Sequence, residues 1–565
     1  MFTASTNAPL AGLLEFRTDA ETRVSVTMDD GIEARTRYFP GYTRTHSIPL
    51  YGFKASRTNT ITVSAHGRDH EETATASPLE FVTGSLPSDF PDIHVLTSNP
   101  TEMEPGYSLF IWEAILPGKT IAYSTILDSS GEVVWYSPAG GFDIRQLANG
   151  NLFAALTSTF VETDLLGRTV RTWHPPAQPL DPHDGVPTDH GTILYLQNAL
   201  QTVTDFSTAP YDPSVAKGTA DIVHQKVIEM SADDESLLNA WAPVEVLDPR
   251  RVSYLIASLT DGLPSFGWDT EHANAVIEDP SDDSLIVSMR NQNAVFKFAR
   301  STGQLKWILG PDENWGPAWQ PYLLKPVGTP FAWQYGQHAP VLTSRGTLML
   351  YDNGNLRASP PQQTITDPFN FSRAVEYRIN EKNMEVSQEW EYGSATLGEW
   401  LYTGYMGNAE PQPKTGNVLI DFSAVSFADG KDAIPAAKGV VMARFKEVTR
   451  DAVPKVVFDV TLSKYDRASV GYVNSTVYRV HRIADLYAHP VSPVTDLSVQ
   501  RIEGDVDLTF AADETRTYAV QTSSDLKSWT TLETLDARDF YEGLFSYRDS
   551  QSSAAPLKYY RILSE

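Results

Sequence analysis

The stretch WDTEHANAVIEDPSDDSLIVSMRNQNAVFKFARSTGQLKWILGP, residues 268 to 311, predicts two consecutive β-hairpins. In the first hairpin, His272 and Asn274 open one strand, the turn DPSDDS reverses the chain, and the returning strand ends at Arg290. We therefore expect the imidazole and the guanidinium at the same end of one sheet. The second hairpin turns at the sequence STG, and the four antiparallel strands together have the size of one propeller blade.

The outer hairpin of this unit recurs along the chain, each copy ending in an aromatic residue. Six copies lie between residues 108 and 488, namely ILDSSGEVVWY (126–136), ETDLLGRTVRTW (162–173), VIEMSADDESLLNAW (227–241), FKFARSTGQLKW (296–307), YRINEKNMEVSQEW (377–390) and RFKEVTRDAVPKVVF (444–458). Six such sheet units in order, with almost no long helical periodicity, predict an all-β chain built on a six-bladed β-propeller. The segment TVYRVHRIADL (476–486) is expected to close the last blade.

Shorter segments with Gly or Asp turns separate these copies, and we interpret them as inner strands that line a central channel. Their beginnings read Arg145, His183, His272, His338, Asn408 and His481. The chain has 12 histidines, so their recurrence at equivalent repeat positions is informative. A single histidine here is typical of a strand end bonded to backbone, but three converging imidazoles favour catalysis or metal binding.

The flanking segments predict three further parts. Residues 1–88 show short alternating runs bounded by Gly, Pro, Asp or Asn, as in a small β-sandwich. Residues 89–107 hold prolines without periodicity and are interpreted as a linker, after which the propeller occupies 108–488. Residues 489–565 predict a small C-terminal β-sandwich, which acts either as a docking module or as a structural appendage.

Composition excludes several classes of protein. The chain has 44 basic and 71 acidic residues, a net charge of −27, which argues against nucleic-acid or anionic-membrane partners. It has no cysteine, which excludes disulfides, thiolate metal sites and cysteine nucleophiles. No apolar run reaches the ~20 residues of a membrane span. The N-terminal stretch lacks a signal peptide pattern, and we expect a periplasmic or secreted protein whose signal is absent from this sequence.

Two kinds of site fit three histidines. Zinc binds three imidazoles, and the turns Asp282–Asp283 and Asp233–Asp234 could hold calcium, although polar hairpin turns are the commoner meaning of such sequences. Arg290 would repel a cation, whereas arginine with imidazoles suits sulfate, phosphate or carboxylate. We therefore predict an anion site with no metal and no cofactor.

Several strings resemble the bacterial arylsulfate sulfotransferase family. They are MEPGYSLF, GEVVWY, HANAVIEDPSDDSLIVSMRNQNAVFK, GQLKWILGP, GQHAP, YDNGNLR, FSRAVEYRIN and EWEYG, in the family's order between about residues 8 and 485. The resemblance implies an N-terminal β-sandwich, a six-bladed propeller, and transfer of a sulfuryl group from a phenolic sulfate to a phenol without a nucleotide sulfate donor.

The same resemblance assigns roles to individual residues. It makes His338 in GQHAP the nucleophile of a ping-pong reaction through a sulfohistidine, with His183, His272 and Arg290 around the sulfuryl group. Either His183 or His272 serves as general acid and base. The predicted substrate-binding set is Asn274, Arg357, Arg145 and Tyr402.

The chain departs from the family pattern at three points. It lacks the disulfide of periplasmic members, Asn291 stands where the family has histidine after the arginine, and Thr403 is only a candidate for the family's supporting threonine. The departures leave the predicted catalytic residues intact and put the substrate preference in question.

Other functions stay open from the residues. The alternatives are a propeller polysaccharide lyase, a sulfate-ester hydrolase acting on an anionic substrate, and a non-catalytic binding propeller. The expected partners are an aryl sulfate donor and a phenolic acceptor, with no nucleic acid, no membrane span, and the N-terminal domain as a candidate homodimer surface.

Overall fold

The computed structural model describes the chain except for residues 67–71, 117, 208–213, 243–246, 252, 259–266, 361, 363, 366–369, 394–400, 427–439, 468–470, 488–493, 503–504, 513–515, 537–539, 542–543, 551–557 and 565. The described residues form 43 β-strands and two short 3-10 helices, Arg290–Gln292 and Gln320–Tyr322. Within these described parts, no helix is long and apolar enough to cross a membrane. The chain divides into two compact units, one formed by 1–86, 147–150 and 486–565, the other by 87–146 and 151–485.

The first unit begins with a six-stranded antiparallel sheet. Its strands are β1 (Phe2–Ala4), β2 (Gly12–Asp29), β3 (Ala34–Leu50), β4 (Thr58–His66), β5 (Glu72–Thr75) and β6 (Leu79–Val82). The order is β1-β2-β4-β5, with β3 also paired to β2 and β6 to β4. Buried and more exposed residues alternate along β4, the pattern expected of a strand with one face on a core.

The second unit contains thirty strands in chain order. They are β7 (Asp92–Ser98), β8 (Tyr107–Leu116), β9 (Lys119–Leu127), β10 (Val133–Ser137), β11 (Ile144–Gln146), β12 (Leu152–Ala155), β13 (Phe160–Thr163), β14 (Thr169–Trp173), β15 (Leu180–Pro187), β16 (Thr192–Phe206), β17 (Gly218–Ser231), β18 (Leu237–Trp241), β19 (Ala257–Ser258), β20 (Trp268–Asp269), β21 (Ala273–Asp279), β22 (Ser284–Met289), β23 (Ala294–Ala299), β24 (Leu305–Leu309), β25 (Lys325–Pro326), β26 (His338–Leu342), β27 (Leu348–Asp352), β28 (Arg373–Asn380), β29 (Glu385–Tyr392), β30 (Asn408–Pro411), β31 (Val418–Ser426), β32 (Val441–Val448), β33 (Val456–Ser463), β34 (Tyr465–Asp466), β35 (Gly471–Tyr472) and β36 (Ser475–Ile483).

Six sheets of this unit are the blades of the propeller. Written from the innermost strand outward, they are β36-β8-β9-β10, β11-β12-β13-β14, β15-β16-β17-β18, β21-β22-β23-β24, β26-β27-β28-β29 and β30-β31-β32-β33. The innermost strands β15, β21, β26, β30, β36 and β11 contact one another in that order. Apolar residues fill the space between sheets, as where Trp307 of β24 packs with Leu350 and Val375 of the next sheet.

The six predicted hairpins are confirmed as the outer strands of the six blades. Three details differ from the sequence predictions. The predicted linker contributes β7, which pairs with β33 at the outside of the last blade. The segment predicted to close the last blade, β36, pairs instead with β8 and completes the first blade. His481 lies near the end of β36 rather than at its beginning. These pairings join distant parts of the chain, which local patterns do not reveal.

The C-terminal part of the first unit forms two antiparallel sheets. Its strands are β37 (Thr495–Ile502), β38 (Asp505–Ala511), β39 (Tyr518–Ser523), β40 (Thr530–Leu535), β41 (Phe540–Tyr541), β42 (Leu544–Asp549) and β43 (Tyr559–Ser564). The sheets are β37-β38-β42-β41 and β40-β39-β43, and buried Leu508, Phe510 and Tyr518 share one core. The predicted boundary at residues 488 and 489 lies outside the described residues, and the four-part division stays a prediction.

Candidate active site

Three histidines from three neighbouring blades meet at one end of the innermost strands. His183 lies within β15, His272 immediately precedes β21, and His338 opens β26. The rings of His183 and His272 are in edge contact, with centroids 4.9 Å apart. Both imidazoles also lower the pKa of His338. Three blades therefore deliver the three predicted imidazoles to one place.

His338 is buried, and both of its ring nitrogens face a partner. Nδ1 lies 2.7 Å from Asn353 Oδ1, while the Asn353 amide nitrogen donates to the carbonyl oxygens of Thr403 and Met406 at 3.0 and 2.9 Å. Because these two carbonyls occupy the amide nitrogen, Asn353 presents its oxygen to the ring, and Nδ1 carries the proton. Nε2 is then the nitrogen with the lone pair, and it accepts the Met406 N–H at 3.2 Å.

The electrostatic surroundings keep His338 neutral. Burial lowers the pKa of His338 well below its ordinary value, and the nearby Arg290, His272 and His183 lower it further. The hydrogen bond with Asn353 opposes these effects without overcoming them. A neutral imidazole keeps the lone pair that a nucleophile needs, so the environment favours attack by Nε2.

The other two histidines each face a carboxylate that precedes them in the chain. His183 Nδ1 contacts Asp181 Oδ1, and His272 Nδ1 lies 2.6 Å from Asp269 Oδ2. Burial lowers the pKa of His183, but the carboxylates of Asp181 and Asp269 together outweigh burial and the net pKa is raised. A raised pKa suits His183 to hold a proton near neutral pH and to give it up during a reaction.

The backbone at His272 is in the left-handed region, with φ of +51°. Such a conformation costs about 1 kcal/mol or more in a residue with a side chain and persists only when its surroundings fix it. Here the Arg290 N–H donates to the His272 carbonyl at 3.1 Å, and the Asn291 N–H donates to the Glu271 carbonyl at 3.0 Å. These bonds join the two ends of the hairpin and set the imidazole beside the arginine.

The Arg290 guanidinium carries a positive charge that its neighbours only partly compensate. Its Nη1 donates to Asn291 Oδ1 at 2.9 Å and its Nη2 to the Gly404 carbonyl at 3.0 Å, while Nε has no hydrogen bond in the described structure. The nearby carboxylate of Asp269 pairs with His272. Burial lowers the pKa of Arg290, with Asp269 and Tyr402 opposing. A half-buried, incompletely bonded guanidinium is suited to an anion such as a sulfate ester.

Three of the four predicted substrate-binding residues, Asn274, Tyr402 and Arg357, lie in the same region of the structure as His338 and Arg290. Asn274 is buried, donates to the Gln337 carbonyl at 2.8 Å, and leaves Oδ1 without a partner in the described residues. The Tyr402 hydroxyl accepts the Asn355 amide at 3.2 Å. Arg357 pairs with Asp352 at 3.0 Å. These contacts make Arg357 a structural member of the loop more than a free ligand for substrate.

Arg145, the fourth predicted substrate-binding residue, belongs to a different group. Its Nε and Nη2 donate to Asp143 and Asp184, both at 2.7 Å. Arg479 bonds the same two carboxylates at 3.0 Å, and His481 lies 2.9 Å from Asp143. The structure therefore does not bring Arg145 into contact with the three histidines, because the Arg145 side chain is held in ion pairs with Asp143 and Asp184.

Sequence reasoning missed four groups that complete the site. Asp181 and Asp269 were detectable in principle, because each precedes a selected histidine by two or three positions. Asn353 sits inside the YDNGNLR motif without any local sign that its amide faces His338. The Met406 N–H is a backbone group and leaves no sequence signal.

The described residues do not favour a metal site. No group of three or more histidine, aspartate or glutamate side chains in the described ranges is arranged to hold a metal ion. The Asp282 carboxylate, in one of the two turns considered for calcium, lies 2.6 Å from Lys306 and 2.9 Å from Lys297. Two ammonium groups thus take the place that a cation would need.

Comparisons with known proteins point to one family. A family model described as Arylsulfotransferase (ASST) matches residues 70–472, and one described as Arylsulfotransferase Ig-like domain matches residues 2–79. Arylsulfate sulfotransferase AssT of Escherichia coli O6:H1 is 27% identical over 337 residues, which are 49% of this chain and 54% of that protein. AssT of Lelliottia amnigena is 26% identical over the same shares. The match spans about half the length of these curated relatives.

Solved structures give weaker likenesses. An apocarotenoid oxygenase variant of Synechocystis has a TM-score of 0.30 and 12% identity, covering 85% of this chain and 97% of that chain. Hydrazine synthase of Kuenenia stuttgartiensis has a TM-score of 0.27 and 9% identity, covering 66% of this chain and 77% of that chain. Scores at this level carry no argument about function.

Proposed function

The chain belongs to the arylsulfotransferase family, and from that premise we propose that it moves a sulfuryl group from a phenolic sulfate ester to a phenolic acceptor. The polysaccharide lyase and the non-catalytic binding propeller have no comparable support. A sulfate-ester hydrolase differs from the proposal only in using water as the acceptor, so the same experiments separate the two.

The first half-reaction forms a sulfohistidine. The Nε2 lone pair of His338 attacks the donor sulfur, an N–S bond forms, and the S–O bond to the aryl group breaks with its electron pair leaving on the phenolate. His183 gives its proton to that phenolate, in keeping with its raised pKa. Arg290 faces the sulfuryl oxygens and offsets their negative charge.

The second half-reaction reverses these steps with a new phenol. His183, now neutral, takes the proton of the acceptor hydroxyl, the phenolate oxygen attacks sulfur, and the N–S bond breaks with its electron pair returning to His338 Nε2. The chemistry needs no cofactor, and we expect activity on an aryl sulfate to survive a chelator.

One observation carries the proposal: the amide of Asn353 fixes the proton on His338 Nδ1, so the lone pair stands on Nε2. Nε2 accepts the Met406 N–H at 3.2 Å. Attack on sulfur requires that N–H to leave Nε2, and we propose that it then donates to a sulfuryl oxygen, as an oxyanion-hole donor does.

Rapid mixing with a chromogenic aryl sulfate and no acceptor tests the covalent step. The wild type should release one equivalent of phenol in a burst and gain the mass of one sulfuryl group, and His338→Ala should do neither. If phenol is released only when acceptor is present and no adduct forms, direct transfer is the better description and His338 acts as a base. Continued release without a phenol acceptor would identify a hydrolase.

Two further expectations accompany the proposal. We propose a periplasmic or secreted location, which fractionation of the producing cells would check. We also propose that residues 1–88 form a homodimer surface, and deletion of this segment should then leave a monomer in light scattering if the remainder folds.

A further inference from the structure

A cavity lined by the same innermost strands lies beside the candidate active site. Its volume is about 480 Å³, within the range of ligand pockets. All six innermost strands contribute lining residues, including Ile277 of β21 and Val341 of β26. Val341 follows His338 on β26, beyond the β-bulge that lies between these two residues. The cavity lining includes none of the three histidines of the candidate active site or Arg290.

One wall of this cavity is cationic. Four basic side chains line it, against the two carboxylates of Asp184 and Glu410, and these bases are Arg145, Arg479, His481 and Arg482. His481 bonds a carboxylate with each ring nitrogen, at 2.9 Å to Glu410 and 2.9 Å to Asp143, so it carries both protons. Asp143, in turn, is not part of the lining. Because Asp143 lies outside the lining, the side chains that a ligand contacts carry more net positive charge than the ion-pair network as a whole.

Two arginines of this wall keep unused donors. Arg145 binds carboxylates through Nε and Nη2, its Nη1 has no hydrogen bond to the residues that the structure describes, and its side chain is 26% exposed. Arg482 donates to Glu447 through Nη2, and its Nε and Nη1 have no partner in the described structure but are closed to solvent, so the accessible unused donor is that of Arg145. Unsatisfied guanidinium donors beside a cavity favour an anionic ligand.

The opposite wall is apolar. Half of the lining residues are aliphatic or proline, among them Ile277, Pro340 and Val341. A bare inorganic ion would leave the apolar side chains of this wall exposed to water, whereas a ligand with an apolar body would cover them. The two walls together match a molecule with an anionic head and an apolar body.

We propose that this cavity binds a small organic anion, with its carboxylate, sulfonate or sulfate group on the Arg145 side and its apolar body against Ile277, Pro340 and Val341. The site is separate from the sulfuryl-transfer site. Arg479 lies between the two, since its Nη2 donates to the Asn274 carbonyl at 2.9 Å while its Nη1 holds the carboxylates of the cationic wall.

Binding of 2-naphthalenesulfonate measured by calorimetry tests the proposal. Its sulfur is bonded to carbon, so the probe cannot donate a sulfuryl group and the result does not depend on turnover. The measurement uses Arg290→Gln, which removes the main anion ligand of the other site. Saturable binding should remain in this variant. Absence of binding there would overturn the proposal.

Variants at the cavity mouth give the matched controls. Ala484 lines the cavity and is exposed, so Ala484→Glu adds a negative charge without disturbing packing. Combined with Arg290→Gln, it should weaken probe binding about tenfold or more, as should Arg145→Gln, whereas the uncharged Ala484→Gln should not. Equal binding in the Glu and Gln variants would refute the anion site. If inorganic sulfate binds as tightly as the sulfonate, the ligand needs no apolar body, and that part of the proposal is refuted. If the uncharged 2-(hydroxymethyl)naphthalene binds as tightly as the sulfonate, the ligand needs no anionic head, and that part is refuted.

Discussion

Two imidazoles of the candidate site differ in pKa because they face different groups. Burial and the cation of Arg290 hold the pKa of His338 low, although the hydrogen bond with Asn353 opposes them. His183 faces the carboxylate of Asp181, so its pKa is raised. Environments that push apart the pKa values of like groups are how one site supplies both a nucleophile and an acid.

Replacing Asn353 should disturb catalysis without disturbing substrate binding. Asn353→Ala removes the acceptor that fixes the His338 proton on Nδ1, and kcat should fall about 10- to 100-fold with little change in KM. Asn353→Asp should raise the pKa of His338 and move the acidic limb of the pH profile to higher pH. Asn383→Ala, in an exposed turn, is the control. An unchanged acidic limb in Asn353→Asp would contradict the assigned role.

The pH dependence of kcat/KM should be bell-shaped. His338 must be neutral, so activity is lost as pH falls through a pKa well below 6.5. His183 must be protonated, so activity is lost as pH rises through a pKa above 6.5. Asp181→Asn removes the carboxylate that raises this pKa and should shift the alkaline limb to lower pH. The exposed Asp189→Asn should not, and an alkaline limb that stays in place in Asp181→Asn would point to His272 as the acid.

Arg290 should contribute to rate more than to folding. Arg290→Ala removes a half-buried cation from beside the sulfuryl oxygens, and kcat/KM for an aryl sulfate should fall by ~10²-fold or more. Arg378→Ala, at an exposed position of β28, should leave the rate unchanged. A loss below about threefold would show that Arg290 does not face the transferred group.

At the scale of elements, the hairpins matter because their ends carry the chemistry. The turn before β30 passes Met406 and Gly407, both with positive φ, and brings the Met406 N–H to His338. A close approach of backbone makes Gly407 necessary, since a Cβ there would lie 2.7 Å from the Asp421 carbonyl oxygen and 2.7 Å from the Tyr351 ring.

Two glycines of the β30–β31 hairpin allow the cost of backbone strain to be distinguished from the cost of a steric clash. Gly407→Ala should lower the free energy of unfolding by about 1–3 kcal/mol more than Gly416→Ala does. Both positions have positive φ, at +95° and +74°, but a Cβ on Gly416 would meet nothing within 4 Å. Denaturant unfolding of the two variants measures the difference. Equal losses would mean that the contact at Gly407 relaxes freely.

At the scale of the whole molecule, the second unit depends on joining its two ends. Strand β36 pairs with β8, and the Asn408 side chain bridges β30 and β36 by donating to the Val480 carbonyl at 2.8 Å and accepting the Val480 N–H at 3.0 Å. The amide thus pairs with strand β36 as a neighbouring strand would, between the last blade and the first.

Removing that bridge should loosen the ring. Asn408→Ala leaves both backbone groups of Val480 unpaired in a buried place, and the free energy of unfolding should fall by about 2–4 kcal/mol. Thermal unfolding with Asn383→Ala as reference measures the effect. A loss no larger than that of the reference would show that closure rests on the β36–β8 pairing alone.

The sequence by itself determined the repeated unit and the residue types of the site. Alternation of apolar residues and turn chemistry act within a few positions, so the six outer hairpins and the hairpin joining His272 to Arg290 could be predicted. The recurrence of histidine at the start of inner segments brought His183, His272 and His338 into one set for the same reason.

Only the tertiary structure decided which residues share one place. The His183 carbonyl accepts a hydrogen bond from the Tyr478 hydroxyl, 295 positions away in the sequence. Arg145 pairs with Asp184 and with Asp143, which also binds Arg479, and therefore does not contact the histidines. The same holds for β7, β36 and the Met406 N–H, whose partners lie far away in the sequence. Such contacts are set by the closing of the ring, which no local pattern encodes, because the energy of an ion pair or a strand pairing depends on distance in space.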